Sequence, residues 1–215
     1  MKQDNIKKLC EAFENLNIEM TDVKLQQLQM YMDGILEWNR HVNLTAITEE
    51  DEFVQKHYMD SLLCADAPEL LQAHNVLDMG TGGGFPGIPL AILYPQAHFI
   101  LCDSVNKKTI VAQAVSQALK LDNVQVVNAR AESLGRQFDF VVSRAVMPLP
   151  DLVKLIQKNI SNKHRNAVPN GLVVLKGGDL KDEIAPYIKT AEVTPCSQWF
   201  KGEWFETKQV IYLPL

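Results

Sequence analysis

The feature that most constrains the fold is a rhythm that begins near residue 75, where short apolar runs alternate with stretches of helical periodicity. The runs cover 76–79, 99–102, 124–127, 138–142 and 172–175, and the helical stretches between them span about 87–93, 105–120 and 150–160. A run of four or five apolar residues bounded by turn residues reads as a strand buried on both faces. Strands separated by a single helix run parallel, because the crossover returns the chain to the starting edge. The expectation is an open, doubly wound α/β sheet. A further helical stretch at about 179–189 leads into two β-rich runs, 192–200 and 208–213. The seven residues 201–207 between them are too few for a crossover, so an antiparallel hairpin is expected at the C-terminus.

Residues 1–65 have a different texture. Leu25, Leu28, Met32, Ile35 and Leu36 recur at helical spacing behind Thr21 or Asp22 as a cap, and a second amphipathic stretch runs over about 49–65. Between them lies a polar and aromatic connector, Trp38-Asn39-Arg40-His41-Val42-Asn43-Leu44-Thr45-Ala46-Ile47. The division expected is a helical N-terminal extension over 1–65 and a Rossmann-like domain over 66–215.

The richest motif is Val76-Leu77-Asp78-Met79-Gly80-Thr81-Gly82-Gly83-Gly84-Phe85-Pro86-Gly87, a strand running into a glycine loop, with Pro86 suited to a helix start. Five glycines within 80–87 carry a large entropic cost unless backbone must bend through positive φ or lie against a ligand. Gly82, Gly84 and Gly87 satisfy GxGxxG, and Asp103 ends the next strand, so a dinucleotide is formally allowed. The fuller pattern is Asp78-x-Gly80-x-Gly82-x-Gly84. An acid two residues before the first glycine gains little beside a pyrophosphate but suits a cofactor carrying an ammonium and a sulfonium. S-adenosylmethionine is therefore the favoured ligand, with a dinucleotide or an unliganded turn as the alternatives. The Asp103 carboxylate is placed to accept ribose hydroxyls or to cap the following helix. Asn128-Ala129-Arg130-Ala131-Glu132 follows the third strand, where backbone groups of Ala131 and Glu132 can flank an adenine; Glu132 pairing with Arg130 is the plainer reading.

Charge and cysteine usage narrow the class. A net charge of −5 and a pI of about 5.5 argue against a general nucleic-acid binder but permit one local patch. No apolar run approaches the roughly 18 residues of a membrane span, and Asp4, Glu11 and Glu14 are unlike a signal peptide. Cys10, Cys64, Cys102 and Cys196 are scattered without a CxxC pair, so reduced thiols in a cytoplasmic protein are expected, with no metal site.

Around this loop the sequence resembles the glucose-inhibited division protein B family, also called ribosomal RNA small subunit methyltransferase G. The matching pieces are Trp38-Asn39, Asn43-Leu44-Thr45-Ala46-Ile47, His57 with Asp60-Ser61-Leu62, and the loop continuing as Phe85-Pro86-Gly87-Ile88-Pro89-Leu90-Ala91-Ile92. Asp103-Ser104 with Lys107-Lys108, Arg130-Ala131-Glu132, Ser143-Arg144-Ala145 and Lys176-Gly177 match as well. The likeness runs from about Leu25 to Gly178; Gly83 stands where members vary between small residues and proline. It implies a class I S-adenosylmethionine-dependent fold and methylation of N7 of a guanine in the decoding region of 16S rRNA. Residues matching Gly80, Phe85, Ala131, Glu132 and Arg144 would line the cofactor, and a monomer acting on the small subunit or its rRNA is implied.

That reaction asks little of acid–base chemistry. Guanine N7 carries a free lone pair, so positioning and electrostatics should dominate, and no single catalytic residue is expected. Arg144 is the candidate for positioning, by contact with the cofactor, a phosphate or guanine O6; a surface salt bridge is its plain alternative. Amino methylation would show an Asn/Asp-Pro-Pro-aromatic turn where this chain has Ser143-Arg144-Ala145-Val146, and Cys196 lies too late in the chain to be a nucleophile at the crevice. RNA contacts are expected from Arg40, His41, His57, Lys107, Lys108, Arg144 and Lys176, whereas Trp38 reads as core and Asp60 as a structural polar group beside His57. Three functions compete: the rRNA guanine-N7 methyltransferase, a dinucleotide-dependent oxidoreductase, and a ribosome-assembly factor that binds the cofactor without catalysis.

Overall fold

The computed structural model describes residues 1–64, 75–144, 147–164 and 166–215; the expected domain boundary at 65/66 and the Ala145-Val146 pair fall outside them. Seven strands share one sheet in the order β3-β2-β1-β4-β5-β7-β6. Their bounds are β1 Asn75–Met79, β2 His98–Asp103, β3 Val124–Asn128, β4 Phe140–Arg144, β5 Gly171–Gly177, β6 Glu192–Pro195 and β7 Lys208–Pro214. The first five are mutually parallel, and β7 runs antiparallel to both β5 and β6. The order reverses direction at β1, with β2 on one side and β4 on the other, and this is where open α/β sheets hold ligands.

Two strands depart from expectation for local reasons. β4 begins two residues late because Phe138 makes a single bridge to Ile160 while the Asp139 carboxylate accepts from the Asn75 backbone N–H at 3.1 Å. The run expected over 192–200 stays extended only to Pro195, whose missing N–H cannot continue the ladder. The chain then tightens into a turn at Cys196–Gln198 that buries Cys196 and Phe200.

Alternation along the strands sorts side chains into two cores. Val76, Phe99, Leu101, Phe140, Val142, Val173 and Leu175 face one side; Leu77, Met79, Ile100, Cys102, Val141, Leu172 and Val174 face the other. By the same parity Asp78, Asp103 and Arg144 belong to the first face, and Lys176 to the second. The first face is covered by helices Gly87–Leu93 and Asn106–Ala118 and by the N-terminal helices. Helix α1 spans Gln3–Asn15, and α2 spans Asp22–Asn39 with the Thr21 hydroxyl accepting from Lys24 N at 3.3 Å. A third helical stretch at 50–63 contains a π-helical turn, Val54–Tyr58. Leu9, Phe13, Leu28, Tyr31, Ile35 and Phe53 join one continuous core with Phe85 and Ile88, so the extension is packed onto the crevice side of the sheet.

Candidate active site

The glycine loop is shaped from below by Asp78. Its Oδ2 accepts from the Thr81 hydroxyl at 2.5 Å and from the Gly87 N–H at 2.8 Å, which ties both ends of the loop to β1. Gly80, Gly82 and Gly84 take φ of 73°, 58° and 107°, the left-handed region in which a side chain is strained. At Gly84 a Cβ would also lie 2.5 Å from the Ile88 side chain, so bulk is excluded there for two independent reasons. Helix α2 supports the outer side, with Tyr31 Oη donating to the Gly83 carbonyl at 3.0 Å.

Beside the loop, at the carboxyl ends of β1, β2 and β4, lies a cavity of about 400 Å³. Met79, Gly80, Asp103, Ala131, Glu132 and Arg144 are on its wall. The volume suits a nucleoside-sized ligand. Asp103 is 8% exposed; its Oδ2 accepts from Gly82 N at 2.9 Å and its Oδ1 from Val105 N at 2.8 Å. Each carboxylate oxygen still has a lone pair for a ribose hydroxyl, so the capping and ribose roles are compatible. Asp78 offers a second test of fit. It is fully buried, and its Oδ1 has no hydrogen-bond partner among the described residues. Burial raises its pKa to about 7, against the downward pull of Thr81, Gly87 and the Arg144 charge. An unpartnered carboxyl oxygen beneath the loop fits a cofactor that brings an ammonium and a sulfonium, and it fits a pyrophosphate badly.

The expected cofactor residues therefore divide. Gly80, Asp103, Ala131, Glu132 and Arg144 are on the cavity wall, whereas Asp78, Gly82, Gly84 and Phe85 are not. Phe85, 6% exposed, packs behind the loop on His57, ring centroids 4.2 Å apart and 18° from parallel, and on Tyr31 at 5.1 Å. Glu132 stands at the rim with Arg130 3.9 Å away, a solvent-exposed pair of little energetic weight.

Among the described residues Arg144 makes no salt bridge. Its Nη1 donates to the Lys56 carbonyl at 3.1 Å and to His57 Nδ1 at 3.0 Å, and its guanidinium lies 5.1 Å over the Phe85 ring. A guanidinium only donates, so Nδ1 is the bare ring nitrogen, and Nε2 directs its hydrogen to Thr45 Oγ1 at 3.0 Å. His57 is 6% exposed, and burial followed by the Arg144 charge lowers its pKa to about 3, keeping it neutral. Asn39 holds Thr45 in turn, accepting from the Thr45 N–H at 3.0 Å and donating to the Thr45 carbonyl at 2.9 Å. Sequence reasoning missed this chain of contacts. The signal available was the parity that turns Arg144 toward the same face as the helix bearing His57.

The expected RNA contacts also separate. Arg40 and His41 are exposed after α2, and both lean on Glu37, at 2.8 Å and 3.9 Å. Lys107 is exposed at the start of its helix, while Lys108 lines the cavity beside the loop. His57 is buried as above. Lys176 is corrected outright: it is 7% exposed, its Nζ is 2.5 Å from Glu183 Oε2, and it donates to the Met147 carbonyl at 2.8 Å. Parity sends it to the second face, where it ties β5 to the segment entering helix Leu149–Ile156. Asp60 accepts from Trp204 Nε1 at 3.0 Å and, being 2% exposed, joins the N-terminal helices to the C-terminal hairpin. Cys196 is fully buried in its turn and is not among the residues lining the cavity beside the loop.

Comparison with known proteins agrees with this geometry. The family model for GidB, rRNA small subunit methyltransferase G, matches residues 24–199. A ribosomal RNA small subunit methyltransferase G of Parabacteroides distasonis is 46% identical over 92% of this chain and 86% of its own length. One of Bacteroides thetaiotaomicron is 45% identical over 90% of this chain and 94% of its own. Among solved structures, an O-methyltransferase from Bacillus cereus superposes with a TM-score of 0.58 at 16% identity, covering 86% of this chain and 90% of that one, a likeness of fold. The glycine loop, the crevice at β1 and the length of the match together place the chain in the rRNA small subunit methyltransferase G family.

Proposed function

We propose that this protein transfers a methyl group from S-adenosylmethionine to N7 of a guanine in the 16S rRNA of the small ribosomal subunit. Membership of the family carries the reaction and the substrate, and the observation in this chain that supports it most is the buried Asp78 Oδ1, without a hydrogen-bond partner among the described residues, beneath a loop of left-handed glycines. When bound, the cofactor supplies a methyl group made electrophilic by its sulfonium. Asp103 holds the loop through Gly82 and offers its remaining lone pairs to a ribose. Ala131 and Glu132 flank the base, and Asp78 balances the positive charge. Arg144, kept charged and fixed at the cavity wall, orients the target without taking a proton, since N7 needs no general base. In this reading residues 1–65 form a helical extension that braces the crevice and 66–215 the methyltransferase domain. Arg40, His41 and Lys107 present exposed positive or titratable groups to the RNA, and Lys108 reaches it only from the cavity mouth. The protein acts as a cytoplasmic monomer; no described helix is long and apolar enough to cross a membrane.

The test is transfer from labelled S-adenosylmethionine to small subunits, and to free 16S rRNA, from cells lacking this protein, with the modified nucleoside identified. Formation of 7-methylguanosine is the expected result. Cofactor binding with no transfer to either substrate would overturn the reading and favour the non-catalytic assembly factor.

A further inference from the structure

Arg144 emerges from β4 at the cavity wall, yet its hydrogen-bond partners belong to the N-terminal helical unit, 87 and 88 positions earlier in the chain. His57 sits where three pieces of that side meet. One ring face stacks on Phe85 of the glycine loop, Nδ1 takes the Arg144 hydrogen, and Nε2 meets Thr45 of the connector. The ring is walled in by Phe53, with centroids 5.0 Å apart. The second acceptor for Arg144, the Lys56 carbonyl, lies inside the π-helical turn Val54–Tyr58. The wider i→i+5 turn spreads successive carbonyls and leaves room for a side-chain donor, and turns of this kind recur at functional sites.

We infer that His57 is the positioning residue of the reaction: it touches neither cofactor nor guanine, and it sets where the Arg144 guanidinium stands. An arginine on a long flexible stem has many rotamers, and fixing it in advance removes an entropic cost from the ordering of the reacting groups. The geometry serves that end. Two acceptors on one Nη1 define the guanidinium position, the Phe85 ring backs its flat face, and the neutral imidazole leaves the full positive charge available at the cavity. The Asn39–Thr45 pairing fixes the connector that holds the far side of the imidazole, which makes the extension part of the catalytic apparatus.

The inference rests on the methyl-transfer reading above, and its test separates the two. His57→Phe keeps the ring stack on Phe85 but removes the acceptor. His57→Asn loses the stack but places an amide oxygen near the position of Nδ1. His57→Gln extends toward Thr45 instead. The full-length variants and Arg144→Ala would be compared for melting temperature, S-adenosylhomocysteine affinity by calorimetry, and single-turnover methyl transfer to small subunits from cells lacking the protein. His57→Phe is expected to stay folded and lose about 10- to 100-fold in transfer rate, and His57→Asn to recover more of it than His57→Gln. The double variant His57→Phe/Arg144→Ala is expected to be no slower than Arg144→Ala alone, because one residue acts through the other. Losses that multiply, or a His57→Phe protein with the wild-type rate, would overturn the inference. If wild-type protein transfers no methyl, the functional reading fails, and His57 is still judged by the same cycle on S-adenosylhomocysteine affinity, where independent effects or none would sink it.

Discussion

The carboxyl group of Asp78 lies so close to Gly87 that a Cβ on the glycine would come within 2.5 Å of Asp78 Oδ2, the oxygen that accepts the Gly87 N–H at 2.8 Å. The third glycine of the GxGxxG pattern is thus required by a buried acid that starts the following helix. Gly87→Ala must push that acid or Leu101, whose side chain would stand 3.0 Å from the new methyl. A loss of about 1–3 kcal/mol in unfolding free energy is expected, as for overpacking in a tight core. Urea denaturation of the apo protein checks it, and an unchanged midpoint would mean that the loop yields freely.

The protonation of Asp78 should be visible in both stability and binding. Its folded pKa of about 7 stands above the ordinary 3.8, chiefly through burial. The folded protein therefore binds the extra proton between those values, and the stabilisation from this group, full at low pH, is lost as pH rises toward 7. His57 works the other way: its folded pKa of about 3 is below the ordinary 6.5, so stability from it grows as pH rises through that window. The Asp78 contribution is accordingly the difference between wild type and Asp78→Asn across roughly pH 5–8. The asparagine variant is expected to gain on wild type as pH increases. In the same series, S-adenosylmethionine should bind wild type more tightly above pH 7 than below it, because the ionised acid meets a cationic ligand. Affinity that ignores pH in wild type as well as in Asp78→Asn would remove Asp78 from the ligand's electrostatics.

Gly82 and Gly135 form an internal control. Their φ values are 58° and 59°, and a Cβ at either would meet no atom of the described residues within 4 Å. Gly82→Ala and Gly135→Ala should therefore each cost about 1–2 kcal/mol of stability from backbone strain alone. Gly82 is off the cavity wall, but its N–H binds Asp103 on that wall, so only Gly82→Ala is expected to weaken cofactor binding as well, and Gly82→Val to abolish it in a protein that still folds. Calorimetry with S-adenosylhomocysteine decides; equal affinities in the two alanine variants would mean that Gly82 does not position Asp103 for the ligand.

Much of this was legible in the residues because strand and helix periods differ. The five parallel strands, the helix at 87–93 and the antiparallel return at Lys208 were each readable from spacing, and the loop glycines from the conformations that only glycine adopts easily. The cavity wall was legible where a motif follows its strand directly, as with Gly80, Asp103 and Ala131. What stayed hidden depended on contacts between distant segments. Nothing near His57 in the chain announces a partner 87 residues away, and a lysine before a glycine reads as an exposed cation until Glu183 is brought within 2.5 Å. Counting parity from Val174 to Lys176 places the side chain on the second face, but burial of its charge needed the acid from another element.

Lys176 consequently should behave as a structural residue. Glu183 Oε2 also accepts from Leu149 N at 2.7 Å, so one carboxylate binds the lysine and the start of a helix. The glutamate side chain is 28% exposed, which tempers the effect of losing its partner. Lys176→Gln is expected to cost on the order of 1–3 kcal/mol, less than the 3–5 kcal/mol of a fully buried pair. Burial pushes the Glu183 pKa up, but the bonds from Lys176 and Leu149 outweigh it and leave the group below its ordinary 4.5. The stability it adds should therefore fade as pH drops below that value. RNA affinity should keep its salt dependence in Lys176→Gln, whereas Lys107→Gln should lower the salt slope by about one. The reverse pattern would return Lys176 to the RNA surface.

Trp204 offers the sharpest test of how the C-terminal hairpin is fastened to the N-terminal helices. Its Nε1 donates to Asp60 Oδ1 at 3.0 Å, and its ring lies 5.0 Å from Lys56 Nζ and 4.2 Å from Lys208 Nζ. Burial raises the Asp60 pKa, while Lys208, Trp204 and Arg144 hold the rise in check. Trp204→Phe keeps an aromatic ring for the lysines but removes the donor, leaving a carboxyl oxygen buried without its partner. That should cost about 1–3 kcal/mol and raise the Asp60 pKa further, so the loss should be larger at pH 8 than at pH 5, because a folded-state pKa raised further costs stability as pH increases. Asp60→Asn in the same background should recover part of the loss at high pH, since a neutral amide has no charge to leave uncompensated. Chemical denaturation of wild type, Trp204→Phe and the double variant at both pH values measures this. Equal losses at the two pH values, with no recovery by asparagine, would show that Trp204 acts by packing alone.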